Sequence, residues 1–390
     1  MKKTLRRFST LLTVSALVSV LFVSSSKAAA PDDGYPPGEA APGRTCMADA
    51  VGQKTTSSYS GKVLACIVIQ GVSRWWIEGD PLPAVETTAP APAGPKAPAP
   101  AISSNSFLWD KSVNISGAKG AKFITISGDR PAQVLIPGNL KPKVAAPLII
   151  ALHGFMASTS DLMSLIDLSS EATKRGVVLV VPSGTHNADG AAFWNATRSC
   201  CDFQDSGVDD SKYLMELVKQ IGSKVAIDPK RIYFIGHSNG GFMSYTVACD
   251  NSSKIAAIVS LEGSTYKDSA LCKADHPVSV LQINGTLDEL IHIAGGSVFD
   301  DPKQPYPSVK DETSFWAGVD GCANTQPTVK NKLKFDYEAV IPGSETSKEA
   351  YKCPKGLAVE MWTIGEGHHL PKLKSAFVSA VFDFLLSHKK

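Results

Sequence analysis

The chain has 390 residues, 43% of them hydrophobic, and 39 Lys and Arg stand against 37 Asp and Glu for a formal net charge of +2. So even a balance offers no basic field for nucleic acid or for an anionic membrane surface as partner. Eight cysteines, an even number, suit an oxidising compartment, and with no Cys-x-x-Cys pair and no clustered ligand set the sequence predicts neither a metal site nor a cofactor.

Residues 1–30 read as a signal peptide. Lys2, Lys3, Arg6 and Arg7 give a basic start, residues 11–23 form an apolar core, and Ala28-x-Ala30 is the expected cleavage site. The apolar core is too short for a comfortable membrane span, and no other transmembrane candidate follows. The sequence thus predicts a secreted protein, extracellular or periplasmic, with no integral membrane segment in the mature chain. Cleavage removes five cations (Lys2, Lys3, Arg6, Arg7, Lys27) and no acid, which leaves 34 basic against 37 acidic residues.

Residues 31–80 carry Cys46, Cys66 and the pair Trp75-Trp76 and read as a small β module, closed by a Cys46–Cys66 bond. The tryptophans either fill its small core or offer a face for sugar rings or flat polymer. Residues 81–102 are rich in Pro and Ala, the composition of an extended, semi-rigid spacer. Residues 103–390 are expected to form one catalytic domain. Its strands are predicted at 123–127 and 133–136 as an antiparallel opening pair, then at 148–152, 177–181, 232–235, 255–260, 278–283 and 359–364. Helices fall between them, such as 209–222, with Tyr213, Leu214, Leu217, Val218 and Ile221 on one face. The last helix, 371–387, should bury Phe377, Val381, Phe384 and Leu385. Asp209 and Asp210 open the 209–222 helix as capping residues. This alternation gives a mainly parallel sheet with helices on both sides. Residues 297–357 lack periodicity and read as an insertion near the cleft.

The chemistry is concentrated in three strand-end loops. Gly236-His237-Ser238-Asn239-Gly240 lies between an apolar strand and a helix, the setting of a nucleophile elbow. Its glycines let strand and helix approach while the turn lifts the Ser238 hydroxyl above the sheet. Asp288 follows the strand at 278–283, where the acid of a Ser-Asp-His triad belongs. After the strand at 359–364 comes Gly365-Glu366-Gly367-His368-His369. Two histidines compete there for the role of base. His368, directly after the glycine, is preferred and His369 is the fallback. The oxyanion donors are expected to be the backbone N–H groups of Asn239, next to the nucleophile, and of Phe155, in the loop after the strand at 148–152. Trp194 can form a wall of the substrate cleft or pack in the core.

Further residues extend the pattern: Leu152-His153-Gly154, Phe193-Trp194 with Cys200-Cys201, Val208-Asp209-Asp210, the run from Ile227 to Tyr233, Gly285-Thr286-x-Asp288 with Gly295-Gly296, and Gly365-x-Gly367-His368. Together with the elbow, these residues resemble the polyhydroxybutyrate depolymerase / feruloyl esterase-like family of secreted α/β-hydrolases, over roughly residues 121–386. The resemblance implies an α/β-hydrolase fold, with Ser238 as nucleophile, Asp288 as acid and His368 as base. It implies a serine ester hydrolase whose partner is an ester polymer or a polysaccharide-linked ester. A polyhydroxybutyrate depolymerase-like activity comes first, a feruloyl esterase second and a serine peptidase of the same fold third. Two departures bear on substrate choice: Leu370-Pro371 stands where the family usually has Trp-Pro, and Ile291-His292-Ile293 where it commonly has Val-Pro-Tyr.

Of the cysteines, Cys322 and Cys353 are expected to pair. Cys200, Cys201, Cys249 and Cys272 remain to tie the cleft region to the helix after the elbow. Adjacent cysteines rarely bond to each other, so Cys200 and Cys201 are expected to take different partners.

Overall fold

The computed structural model describes residues 54–56, 63–69, 72–77, 120–141, 144–298, 304–323, 326–327, 329–330 and 334–390. The chain divides into two units, Met1–Lys96 and Ala97–Lys390. In the first, β1 (Lys54–Thr56), β2 (Val63–Ile69) and β3 (Val72–Ile77) form an antiparallel sheet in that order. Leu64 and Cys66 of β2 are buried, and Cys66 is disulfide-bonded. Cys46, the predicted signal peptide and the predicted Pro/Ala-rich spacer lie outside the described residues, as do the side chains of Trp75 and Trp76.

The second unit is built on β4 (Lys122–Ile126), β5 (Ala132–Ile136), β6 (Ala146–Leu152), β7 (Val178–Val180), β10 (Ile227–His237), β11 (Ala257–Leu261), β12 (Ser279–Gly285), β15 (Val329–Lys330), β16 (Thr346–Ala350) and β17 (Val359–Ile364). Two short ribbons stand apart from it: β8 (Thr185–His186) with β9 (Ala192–Phe193), and β13 (Gly296–Ser297) with β14 (Pro305–Tyr306). The sheet order is β15-β16-β17-β12-β11-β10-β6-β7-β5-β4. The six strands from β17 to β7 run parallel, and antiparallel pairs flank them at both edges.

Helices α1 (Thr159–Leu165), α2 (Ser169–Arg175), α3 (Asp210–Lys224), α4 (Asn239–Asp250), α5 (Val309–Val319) and α6 (Ser375–Leu386) cover both faces. β6 explains how. Its sequence, APLIIAL, is apolar throughout because a central parallel strand is buried on both sides. Side chains alternate along it, so Leu148, Ile150 and Leu152 join the core that includes residues of α3, α4 and α5. Ile149 and Ala151 join the opposite core with residues of α1, α2 and α6. Phe234, fully buried in the first core, is a side chain whose truncation to Ala would cost about 3–5 kcal/mol.

The predicted strands and helices correspond closely to those observed. Asp209 caps α3, its side chain accepting from the Lys212 N–H, and Leu214, Leu217, Val218 and Ile221 are buried. α6 begins at Ser375, four residues later than expected. The stretch read as an aperiodic insertion, 297–357, holds α5 and the short strands β14, β15 and β16. β16 escaped detection because its sequence, TSKEA, is only half-buried and carries no alternating apolar pattern.

Two disulfide expectations need correction. Cys200 and Cys201 are bonded to each other across a cis peptide, and Cys249 pairs with Cys272. Cys272 ends a short 3-10 turn, Ser269–Leu271, so the second bond anchors the far end of α4 rather than the cleft. Spacing cannot reveal a bond between neighbours. Cys322 is joined to Cys353 as expected.

Candidate active site

Three loops at the C-terminal ends of β10, β12 and β17 converge on one point. Ser238 stands between β10 and α4 with φ 53° and ψ −119°, a conformation that costs a non-glycine residue energy and persists only where the surroundings impose it. The surroundings here are glycines. A Cβ on Gly236 would collide with the Gly240 carbonyl, and one on Gly240 with the Leu152 carbonyl. Strand, turn and helix thus close to a distance that only glycine permits.

Asp288 is buried in the loop after β12. Its Oδ1 accepts the N–H groups of Leu290 and Ile291, both at 2.8 Å. Burial by itself raises this carboxyl. Hydrogen bonds from His369 and Glu262, the charge of His369 and the N–H of Ile291 outweigh it and hold the group down at about 2. Asp288 is therefore an anion.

His369 Nδ1 lies 2.9 Å from Asp288 Oδ2 and 3.0 Å from Oδ1, and its Nε2 lies 2.9 Å from Ser238 Oγ. A carboxylate can only accept, so the proton belongs on Nδ1 and the Nε2 lone pair faces the serine hydroxyl. The side chain is 7% exposed.

This geometry corrects the preferred histidine. His368 is 65% exposed, and its Nδ1 meets only Glu289 Oε2, at 3.4 Å. The cause is the turn after β17. The Gly367 N–H closes on the Ile364 carbonyl at 3.1 Å with Glu366 at φ 60°, and the Gly367 carbonyl accepts from Leu287 at 2.9 Å. The turn consumes Gly365-Glu366-Gly367. The first residue beyond it faces solvent and the second faces the serine. Glycine spacing in the sequence does not encode that phase.

Asn239 is fully buried at the start of α4. Its Oδ1 accepts the Trp194 N–H at 2.7 Å, and its Nδ2 donates to the Trp194 carbonyl at 2.9 Å. Trp194 is also fully buried, and its Nε1 donates to the His153 carbonyl at 3.0 Å. It takes no part in the cavity beside Ser238. The indole is a strut between the elbow and the β6 loop, which corrects the cleft-wall expectation. Phe155 does line that cavity. A Cβ on the preceding Gly154 would lie 3.4 Å from the Ser238 Cβ, so the Phe155 turn passes beside the nucleophile.

Three further histidines hold the loops. Nε2 of His153 accepts the Gly184 N–H at 2.9 Å, His292 Nδ1 lies 3.0 Å from the Asp288 carbonyl, and His237 Nε2 donates to the His369 carbonyl. Burial lowers His153 to about 4 and His237 to about 3, so both are neutral.

The cavity over Ser238 has a volume of about 570 Å³. Its walls include Phe155, Leu162, Leu165, Ile291, Val298 and the Cys200–Cys201 disulfide. Met156, Leu290 and Leu370 form an exposed apolar rim. Among the described residues there is no group of three or more His, Cys, Asp or Glu that could hold a metal, and no helix is long and apolar enough to cross a membrane.

A strained serine between a parallel strand and a helix, with an acid and a histidine from later strand ends, defines an α/β-hydrolase. The sequence agrees: residues 140–304 match the Phospholipase/Carboxylesterase family. The chain is 30% identical over 246 residues to Feruloyl esterase B of Piromyces equi, covering 62% of this chain and 42% of that one. It is 29% identical over 163 residues to the bifunctional acetylxylan esterase/xylanase XynS20E of Neocallimastix patriciarum, covering 42% and 22%. The chain thus spans less than half the length of either relative. Among solved structures, an acetyl xylan esterase from Aspergillus awamori superposes with a TM-score of 0.49 at 14% identity, over 68% of this chain and 99% of that one. Part of this chain is thus similar to feruloyl and acetylxylan esterases.

Proposed function

We propose that the second unit is a serine carboxylic-ester hydrolase acting by two-step acyl transfer. The observation that carries this is the continuous hydrogen-bonded chain from Asp288 through His369 to Ser238. Ser238 Oγ attacks the ester carbonyl as His369 Nε2 takes its proton. Asp288 holds the Nδ1–H tautomer and stabilises the imidazolium. The N–H groups of Asn239 and Phe155 receive the oxyanion. The alcohol leaves with the proton from His369. Water then attacks the acyl-enzyme, giving its proton to His369, and the acid departs as Ser238 recovers its hydrogen. This reading requires no cofactor.

For the substrate we favour an aromatic acyl ester carried by a plant polysaccharide. The similarity to a feruloyl esterase supports this, as does an apolar cavity large enough for a ring and open at an apolar rim. Export, with residues 1–30 as leader, would place the enzyme where such polymers occur.

The test is acid release from methyl ferulate and from amorphous polyhydroxybutyrate, using protein that begins near Pro31. Ferulate release, lost in Ser238→Ala, is the expected result. Release of hydroxybutyrate oligomers alone would replace the acyl assignment and keep the mechanism. Full activity in Ser238→Ala would overturn the mechanism itself. His369→Ala should lose at least about a thousandfold in kcat, while His368→Ala stays within about threefold of the parent.

A further inference from the structure

A second buried carboxyl stands behind Asp288, and the acyl-transfer scheme above does not use it. Glu262 directly follows β11, is 0% exposed and has φ 50°. Its N–H donates to the Ile283 carbonyl at 2.9 Å. Its two carboxyl oxygens share one donor, the Gly285 N–H, at 2.9 and 3.0 Å. The same side chain is hydrogen-bonded to Asp288.

Two carboxyl groups can share a hydrogen bond only if one of them carries a proton. The donors around each decide which. Asp288 receives N–H bonds from Leu290 and Ile291, and both its oxygens lie within 3.0 Å of His369 Nδ1. Glu262 has the single N–H of Gly285. The better-solvated group keeps the charge and the poorly solvated one keeps the proton. The other ionisable groups facing the pair do not reverse this. Glu289, on the same loop as Asp288, is a further acid that disfavours a charge on Glu262. His369 bonds to Asp288 rather than to Glu262, and His237, at the end of β10, is held neutral by burial. Burial first, then the contact with Asp288, push the Glu262 carboxyl well above its ordinary range.

We propose that Glu262 is a positioning residue for the triad: its protonated carboxyl donates a hydrogen bond to Asp288 and locks that carboxylate in the orientation that meets His369. Both Glu262 oxygens lie within 3.0 Å of the Gly285 N–H and pin the end of β12, from which the Asp288 loop departs. One of them also carries the proton to Asp288. The left-handed backbone at Glu262 ends the extended run of β11 and is what aims the side chain across the end of β12.

The inference rests on the acyl-transfer reading, and the experiment separates the two. The pH dependence of kcat/KM for methyl ferulate, or for a short p-nitrophenyl ester, is measured for the parent, Glu262→Gln and Glu262→Met. Gln reproduces a neutral glutamic acid, with one oxygen to accept from Gly285 and one N–H₂ to donate to Asp288. It should keep kcat within about threefold and leave the acid limb in place. It should also lack the alkaline loss that the parent suffers when Glu262 gives up its proton beside an anion. Met keeps the length but has no donor. It should lower kcat about tenfold or more at little change in KM and move the acid limb to higher pH, because Asp288 then carries a less shared charge. If the acid limb of Glu262→Gln instead falls by about half a pH unit or more, Glu262 is an anion in the parent and the proposal is overturned. Glu262→Gln has no new size or charge to bury, so its outcome stands even if Glu262→Met does not fold. An active Ser238→Ala would sink the acyl-transfer reading, whereas an inactive Ser238→Ala with a displaced Glu262→Gln profile would sink only the role of Glu262.

Discussion

His237 Nε2 donates a hydrogen bond to the main-chain carbonyl of His369 at 2.8 Å, and the two rings lie 5.0 Å apart. The residue before the nucleophile thus fixes the backbone of the histidine that faces the nucleophile. Two loops more than a hundred residues apart in sequence are tied by one bond that involves neither reacting atom.

Because burial holds His237 at about 3, its donor is present at every working pH and its charge never enters the reaction. His237→Phe removes the bond and keeps an aromatic ring. The expected result is a loss of about tenfold or more in kcat with little change in KM, since the loop shifts His369 without touching bound substrate. Steady-state kinetics on a short-chain ester check this; an unchanged kcat would show that the turn after β17 holds His369 without help.

Trp194 predicts an effect on stability rather than on specificity. Its indole N–H donates to the His153 carbonyl, and its backbone brackets the Asn239 amide. Trp194→Phe leaves that buried carbonyl without its donor and should cost about 1–3 kcal/mol. A melting curve should shift down while the ratio of kcat/KM between short and aromatic acyl esters stays constant. A changed ratio would return the indole to the cleft.

Glu312 predicts a pH dependence of stability. The group is fully buried, and burial raises it to about 8 from 4.5. Hydrogen bonds from Ser264, Tyr245 and the Thr265 backbone act the other way, and burial outweighs them. Tyr245 has one hydroxyl proton and two partners, Gln282 Oε1 at 2.9 Å and Glu312 Oε1 at 3.0 Å, so a proton on Glu312 satisfies the second contact. Between pH 4.5 and 8 the unfolded chain has released this proton and the folded one retains it. The unfolded state therefore binds fewer protons in that window, and this group lowers stability as pH rises. Glu312→Gln removes the contribution. Relative to the parent, the variant should gain stability steadily across the window, by at most roughly 1.4 kcal/mol for each step of one in pH. Denaturant titrations at several pH values measure it, and a flat difference would refute the assignment.

Much of the catalytic unit is legible in the residues themselves. β6 is a continuous apolar run because it is buried on both faces, and the period of α3 marks its buried stripe. Ser238 is legible because its backbone can be reached only between glycines, and Asp288 because it follows a recognisable strand. β16 was not legible, since a half-buried strand near the sheet edge carries no apolar pattern. Trp194 was ambiguous because a tryptophan near a cleft and a tryptophan under it have the same letter.

The sequence by itself determined the strand–turn–helix elbow, the order of serine, acid and histidine, and the parallel sheet, all of which follow from local sterics and from hydrophobic period. Tertiary structure alone decided three things: which of His368 and His369 faces the serine, that Cys200 and Cys201 join each other, and that Glu262 stands against Asp288. Each depends on the direction of a side chain at the end of a turn. That direction is set by contacts with distant segments (Gly285, Leu287 and the end of β10), whose positions no local pattern records.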